Sequence, residues 1–155
     1  NSYPLILKIK LIGDIYMAAA GLFTDGEKPE EHANQTVKFG LEALLALDDI
    51  NVKLDANLQV RIGINTGGPI IAGVLGIDKP VFDIIGDTIN VAARLQTTDI
   101  PGNIQTTQST YELLEKDSYA IEQRGEVFLK GKGQVMTYLI STDILPPSIL
   151  ANNPM

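Results

Sequence analysis

Residues 81–95, VFDIIGDTINVAARL, constrain the fold more than any other stretch. Five residues of strand character run through a Gly-Asp-Thr turn straight into a helix-forming segment, so strand and helix are joined with almost no loop between them. Polar side chains interrupt both halves. Asp83 stands among Val81, Phe82, Ile84 and Ile85, where a buried strand would reject a carboxylate that is neither paired nor hydrogen-bonded. Asn90 and Arg94 lie four apart and therefore share one helix face. Asp87 or Thr88 is expected to cap that helix, whose N-terminus lies where phosphates bind well.

The remaining pattern is mixed. Alternation over residues 5–12, with lysines at 8 and 10, predicts a strand with both lysines on one face; Gly13 and Asp14 turn the chain into a partner strand over 15–22. A loop is expected over 24–29. Ala33, Val37, Leu41, Leu44 and Leu45 mark one face of a helix over 30–47, followed by a polar connector over 48–57. Residues 58–65 and 70–75 read as a second hairpin about the turn 66–69. Beyond residue 96 the pattern predicts a strand over 102–106, a helix over 108–114, and strands over 119–122, 125–129 and 135–140 around the turn at 130–133. From Pro146 onward the chain is expected to be loosely held. Interleaved strands and helices with several hairpins indicate an α+β sandwich, helices against a mostly antiparallel sheet.

Composition excludes several function classes. The chain of 155 residues has no cysteine, hence no disulfide, thiolate nucleophile or cysteine-ligated metal, and an intracellular setting is expected. A net charge of -7 argues against a nucleic-acid surface. No apolar run approaches a membrane span, so no direct membrane contact is expected of this domain. His32 sits among Glu27, Lys28, Glu30 and Glu31 and reads as a solvated loop or helix-start residue.

Taken singly, the remaining polar positions have ordinary readings: Asp14 as a turn aspartate, Lys10 as a solvated strand lysine, Lys130 and Lys132 as a hairpin tip. Together they are specific. KLIGDIYM at 10–17, VRIGIN at 60–65, AGVLG at 72–76, FDIIGDTINVAAR at 82–94, and Arg124-Gly125 followed by KGKG at 130–133 resemble, in order and spacing, the catalytic domain of class III nucleotidyl cyclases. The resemblance covers residues 5–140, leaving 141–155 as a C-terminal tail. It implies a ferredoxin-like cyclase sandwich acting as a head-to-tail homodimer, or as a heterodimer with another cyclase domain, with ATP as substrate and Mg²⁺ or Mn²⁺ as cofactor. Lys10 and Asp83 would read adenine; guanylyl cyclases carry glutamate and cysteine at such places. Asn90 would orient the ribose, Arg94 would stabilise charge on the α-phosphate, Lys130 would hold the terminal phosphates, and Asp14 would bind metal. The family's other metal aspartate lies on an earlier strand, in a pattern like Phe-x-Asp-Ile-x-Gly-Phe-Thr. No such segment precedes Asn1, so the first strand is expected to be missing and the domain N-terminally incomplete. The resemblance further implies a cytoplasmic domain whose parent can be membrane-anchored. The alternative is a non-catalytic nucleotide-binding or regulatory half that activates a partner cyclase domain.

Overall fold

The structure, a computed structural model, describes residues 2–23 and 26–152. Residues 24 and 25 of the expected loop, and 153–155 of the tail, lie outside these. Strands β1 (Ile6–Ile12) and β2 (Ile15–Ala20) form the first hairpin, antiparallel, with Ile12 opposite Ile15. A bulge between Lys8 and Lys10 breaks the alternation, so the two lysines do not share surroundings as a strict period of two predicts. Lys8 is exposed, its Nζ 6.0 Å from the centre of the Tyr16 ring.

Helix α1 (Pro29–Leu54) starts with proline in its first turn and with Glu31 accepting a bond from the Lys28 N–H. Ala33, Val37, Leu41 and Leu44 are its buried stripe. It runs seven residues past the predicted end at 47. Its last two turns lie largely exposed, so no apolar period marks them, and they are held locally. Lys53 pairs with Asp49 at 2.7 Å, and Asn51 bonds both backbone groups of Leu58 at 2.9 Å, fastening the left-handed exit at Asp55.

The central sheet has the order β3-β6-β8-β7, formed by Ile62–Ile64, Ile104–Thr107, Gly133–Ser141 and Ala120–Leu129. Only the β3–β6 pairing is parallel. The segment expected as a strand over 58–65 shrinks to three residues, and it does not pair with its successor. Instead β4 (Ile71–Leu75) forms its hairpin with β5 (Val81–Ile85). Residues 66–69 are drawn away from β3 by their own bonds: Thr66 Oγ1 lies 2.8 Å from Thr110 Oγ1, and the Thr66 carbonyl accepts from Ser109 Oγ at 2.9 Å.

Helix α2 (Asp87–Thr98) completes the crossover from β3 to β6. It rests directly on β3: a Cβ at Gly63 would fall 2.3 Å from the Ala92 carbonyl oxygen and from the Gln96 nitrogen. Two apolar clusters result. Val37, Leu41, Ile64, Ile104, Ile140 and Ile149 belong to the α1 side, whereas Val91, Leu95 and Leu129 belong to the α2 side. Each such fully buried Leu or Ile is worth about 1.5–3 kcal/mol. β6 is buried along its whole length, and its polar residues are satisfied internally, Thr106 Oγ1 donating to the Ile64 carbonyl at 2.7 Å.

β7 and β8 differ from expectation in continuity. The two short strands predicted over 119–129 are one strand carrying a bulge between Gln123 and Gly125. Helix α3 (Gln108–Tyr111) is shorter than predicted. Over residues 146–152 the tail is not loose: Pro146 is fully buried, and α4 (Pro147–Asn152) buries Ile149 against the α1-side core.

Candidate active site

The two hairpins meet through the side chains singled out first. Lys10 Nζ donates to Asp83 Oδ2 at 2.8 Å, while Asp83 Oδ1 accepts the N–H of Ile84 at 2.8 Å. The Lys10 hydrogen bond, then the backbone donor, hold the Asp83 carboxyl below the usual carboxylate range, against a small opposing effect of burial. The apolar run around Asp83 suggests a buried strand, but β5 is buried only in part. Val81 and Ile85 are exposed, and the lysine and aspartate side chains retain about a quarter of their surface, 27% and 23%. Both charges are therefore paired and still reachable. Across the hairpin Asp83 faces Gly73, where an added Cβ would meet nothing within 4 Å, so open space adjoins that strand pair. Phe23 and Phe82, 5.9 Å apart, pack the first hairpin's exit against β5.

From Asp83 the chain needs only Ile84, Ile85 and Gly86 to reach α2. Gly86 is the N-cap residue, and no side chain caps the helix, contrary to the expectation for Asp87 or Thr88. Asp87 is instead the first helical residue and pairs with Lys132. This draws the turn between β7 and β8 to the helix N-terminus, where open backbone N–H groups and the helix dipole favour anions. Lys130, on that same turn, is exposed and has no ion-pair partner among the described residues. Further along α2, Asn90 and Arg94 are both exposed on one face while Val91 and Leu95 hold the other in the core. Neither polar side chain has a hydrogen-bond partner within the described residues.

Asp14 stands apart from this group, exposed at the β1–β2 tip next to Gly13, whose φ of +58° the turn requires. As a lone, accessible carboxylate it fits one position on a hard divalent cation, which takes its other oxygens from water and phosphates. Among the described residues no group of three or more His, Cys, Asp or Glu converges on a metal position.

The structure thus brings Lys10 to Asp83, and Lys132 to the helix that carries Asn90 and Arg94. Sequence reasoning missed the pairing of Lys132 with Asp87 and the buried polar residues Asp99 and Gln105 at the far end of α2, where the exposed Arg124 donates to Gln105. Such long-range polar pairs carry no local periodic signal.

Both hairpins expose apolar side chains. Leu11, Ile12, Ile15 and Tyr16 on the first, and Ile71, Val74 and Val81 on the second, are exposed, and Ile77 at the second tip is 98% exposed. No helix among the described residues is long and apolar enough to cross a membrane.

Residues 2–142 match the family model described as the adenylate and guanylate cyclase catalytic domain. The chain is 41% identical over 161 residues to adenylate cyclase type 9 of Gallus gallus, a match covering 98% of this chain and 12% of that protein. It spans, then, a small part of the curated relative. Among solved structures, the guanylate cyclase domain of RhGC from Catenaria anguillulae in complex with GTP superposes with a TM-score of 0.77 at 32% identity, covering 88% of this chain and 72% of that one. The adenylyl cyclase CyaB from P. aeruginosa gives 0.78 at 26% identity, with 87% and 71% covered.

Proposed function

Because the chain belongs to the adenylate and guanylate cyclase catalytic domain family, we propose that it converts ATP to cyclic AMP and pyrophosphate at a site completed by a second cyclase domain. The observation that carries this reading is the Lys10–Asp83 pair, a donor 2.8 Å from an acceptor on adjoining hairpins. Adenine presents a ring-nitrogen acceptor beside an exocyclic amine donor, so Lys10 donates to the ring nitrogen and Asp83 accepts from the amine. Guanine presents the reverse pattern and would set donor against donor and acceptor against acceptor, a mismatch that buried polar groups reject strongly.

The rest of the chain's contribution is positional and electrostatic. Asn90 orients the ribose so that its 3′-oxygen lines up with the α-phosphorus. As the 3′-oxygen forms its bond to that phosphorus and loses its proton to solvent, the bond to the bridging oxygen breaks and pyrophosphate leaves. Arg94 faces the negative charge that grows on the α-phosphate during this displacement and is worth most there. Lys130, on the turn that Lys132 holds against α2, binds the terminal phosphates. Asp14 would supply one oxygen ligand to a divalent cation, Mg²⁺ or Mn²⁺, whose positive charge would ease loss of the 3′-hydroxyl proton and offset the charge of the leaving pyrophosphate. The exposed apolar side chains of both hairpins support a head-to-tail pairing, in which one chain's base-reading pair serves the same nucleotide as its partner's Asn90 and Arg94.

The test is nucleotide turnover with Mn²⁺ at concentrations high enough to dimerise the chain, alone and mixed with a second cyclase domain. Cyclic AMP from ATP, with little cyclic GMP from GTP, supports the reading. ATP binding without turnover in any combination reassigns the chain to a regulatory half, and preferential cyclic GMP formation removes the role given to Lys10 and Asp83.

A further inference from the structure

The far end of α2 carries a polar arrangement that the reaction described above does not use. Asp99, which ends the helix, is only 6% exposed. Its Oδ2 accepts the N–H of Ile62 on β3 at 3.0 Å, but Oδ1 is buried and has no hydrogen-bond partner among the described residues. An orphaned carboxylate oxygen is costly in such a place. Two arginines act on it electrostatically, each with one nitrogen engaged on a carbonyl of α2. Arg61 Nη1 donates to the Thr97 carbonyl at 3.1 Å, and Arg124 Nη1 donates to the Thr98 carbonyl at 2.7 Å and to Gln105 Oε1 at 2.6 Å. Gln105 Nε2 in turn donates to the Leu95 carbonyl and to Thr98 Oγ1, both at 2.9 Å. The bulge in β7 lies between Gln123 and Gly125, at Arg124 itself, and this is the device by which a strand re-aims a side chain.

We propose that Asp99 is a positioning residue for Arg94: its charge state decides whether both arginines stay on the α2 carbonyls, and so how the helix bearing Asn90 and Arg94 is seated. When Asp99 is neutral, Arg61 and Arg124 fasten the last turn of α2 to β3 and β7. Once ionised, Oδ1 draws an arginine N–H to itself, and a helix carbonyl loses its donor. Arg94 is one turn away, its own carbonyl accepting from the hydroxyls of Thr97 at 3.1 Å and Thr98 at 2.7 Å, so loosening of that turn reaches it directly. Burial pushes the Asp99 carboxyl up to about 7, overcoming the opposite pull of the Ile62 and Ile100 N–H groups and of Arg124 and Arg61. Those two arginines are the charged groups that face it, one ahead of β3 and one from β7. The proposal rests on the catalytic reading of Arg94, but the seating of α2 is measurable without turnover.

The test compares the whole chain with Asp99→Asn, which keeps an acceptor for Ile62 and cannot ionise. Backbone amide resonances of Asn90 and Arg94, followed from pH 5 to 9, should titrate with a midpoint near that of the Asp99 carboxyl in the wild type and stay flat in the variant. In MnATP turnover at dimerising concentration, the ratio of variant to wild-type kcat should climb by roughly threefold or more as pH rises through neutrality, with KM little changed. Amides that do not follow Asp99, or a kcat ratio flat with pH, overturn the proposal. Coupled amides in a chain that makes no cyclic AMP uphold the seating and overturn the cyclase reading instead. Should Asp99→Asn fail to fold, carboxyl resonances of the wild type decide: an Asp99 midpoint in the ordinary carboxylate range overturns the proposal.

Discussion

Lys10 and Asp83, seventy-three residues apart in the chain, hold a 2.8 Å ion pair that joins the two hairpins and leaves both partners open to solvent. Replacing both by the residues that guanylyl cyclases carry tests what the pair is for. Lys10→Glu with Asp83→Cys should lower kcat/KM for ATP by about 10²-fold or more and raise it for GTP, since each adenine contact would be mismatched. Unchanged base preference in paired kinetic assays would remove both residues from base recognition.

The same pair fixes a pH response. Asp83 titrates below its ordinary value because Lys10 and the Ile84 N–H favour its charged form. Stability from this contact is therefore present above the unfolded-state value of 3.8 and is lost as pH falls through the lower, folded-state one. In Lys10→Met the Asp83 carboxyl resonance should move back toward the ordinary range. A midpoint that does not move would mean the lysine has no influence on it.

Arg94→Ala should lower kcat by about 10²-fold while KM for ATP changes little, because in the role proposed for it the guanidinium meets charge that exists only in the transition state. An equal loss in ATP affinity, measured by equilibrium binding, would make it a binding residue.

Asn90→Ala and Lys10→Ala chains should each be inactive alone and regain one working site when mixed, since the proposed head-to-tail pairing would place both lesions in the other site of the heterodimer. Mixtures that stay silent, with dimerisation verified by sedimentation, would argue against a shared site.

Gly63→Ala should destabilise the domain by about 1–3 kcal/mol or more in urea unfolding, since the new methyl group meets helix backbone rather than a movable side chain. Unfolding at the wild-type midpoint would mean that α2 can lift from β3 freely.

Asp99 bears on stability with the opposite sign to Asp83. Its carboxyl is raised from 3.8 to about 7, so the associated stability is full below 3.8 and is lost as pH rises through 7. Relative to Asp99→Asn, the wild type should lose stability across that window, with an upper bound on the order of 4 kcal/mol. Parallel stability curves would mean that the Asp99 carboxyl titrates at its ordinary value.

How far the sequence could be read follows from the range of each interaction. β5 and its passage into α2 were legible because apolar alternation and the glycine turn are local. The hairpin of β1 and β2 was legible for the same reason, though the bulge beside Lys10 was not. α1 was cut short at 47 because periodicity reports a buried face, and its last turns are held by Asn51 and an ion pair instead. β3 was paired with the wrong strand because its true partner, β6, comes forty residues later across a crossover. At the candidate site, the polar interruptions of a strand and helix drew attention to Asp83, Asn90 and Arg94, and the family resemblance added Lys10, whereas Asp99 and Arg124 gain their meaning only from what packs around them.

The apolar side chains that both hairpins expose have a consequence for output. On the proposed reading, a site finished by a second chain would have an occupancy set by mass action, so turnover per molecule would fall at dilution and rise wherever two such domains are held near one another. Tethering alone, by any longer polypeptide that carries a pair of these domains, would act as a gain control without altering a single residue that meets the nucleotide.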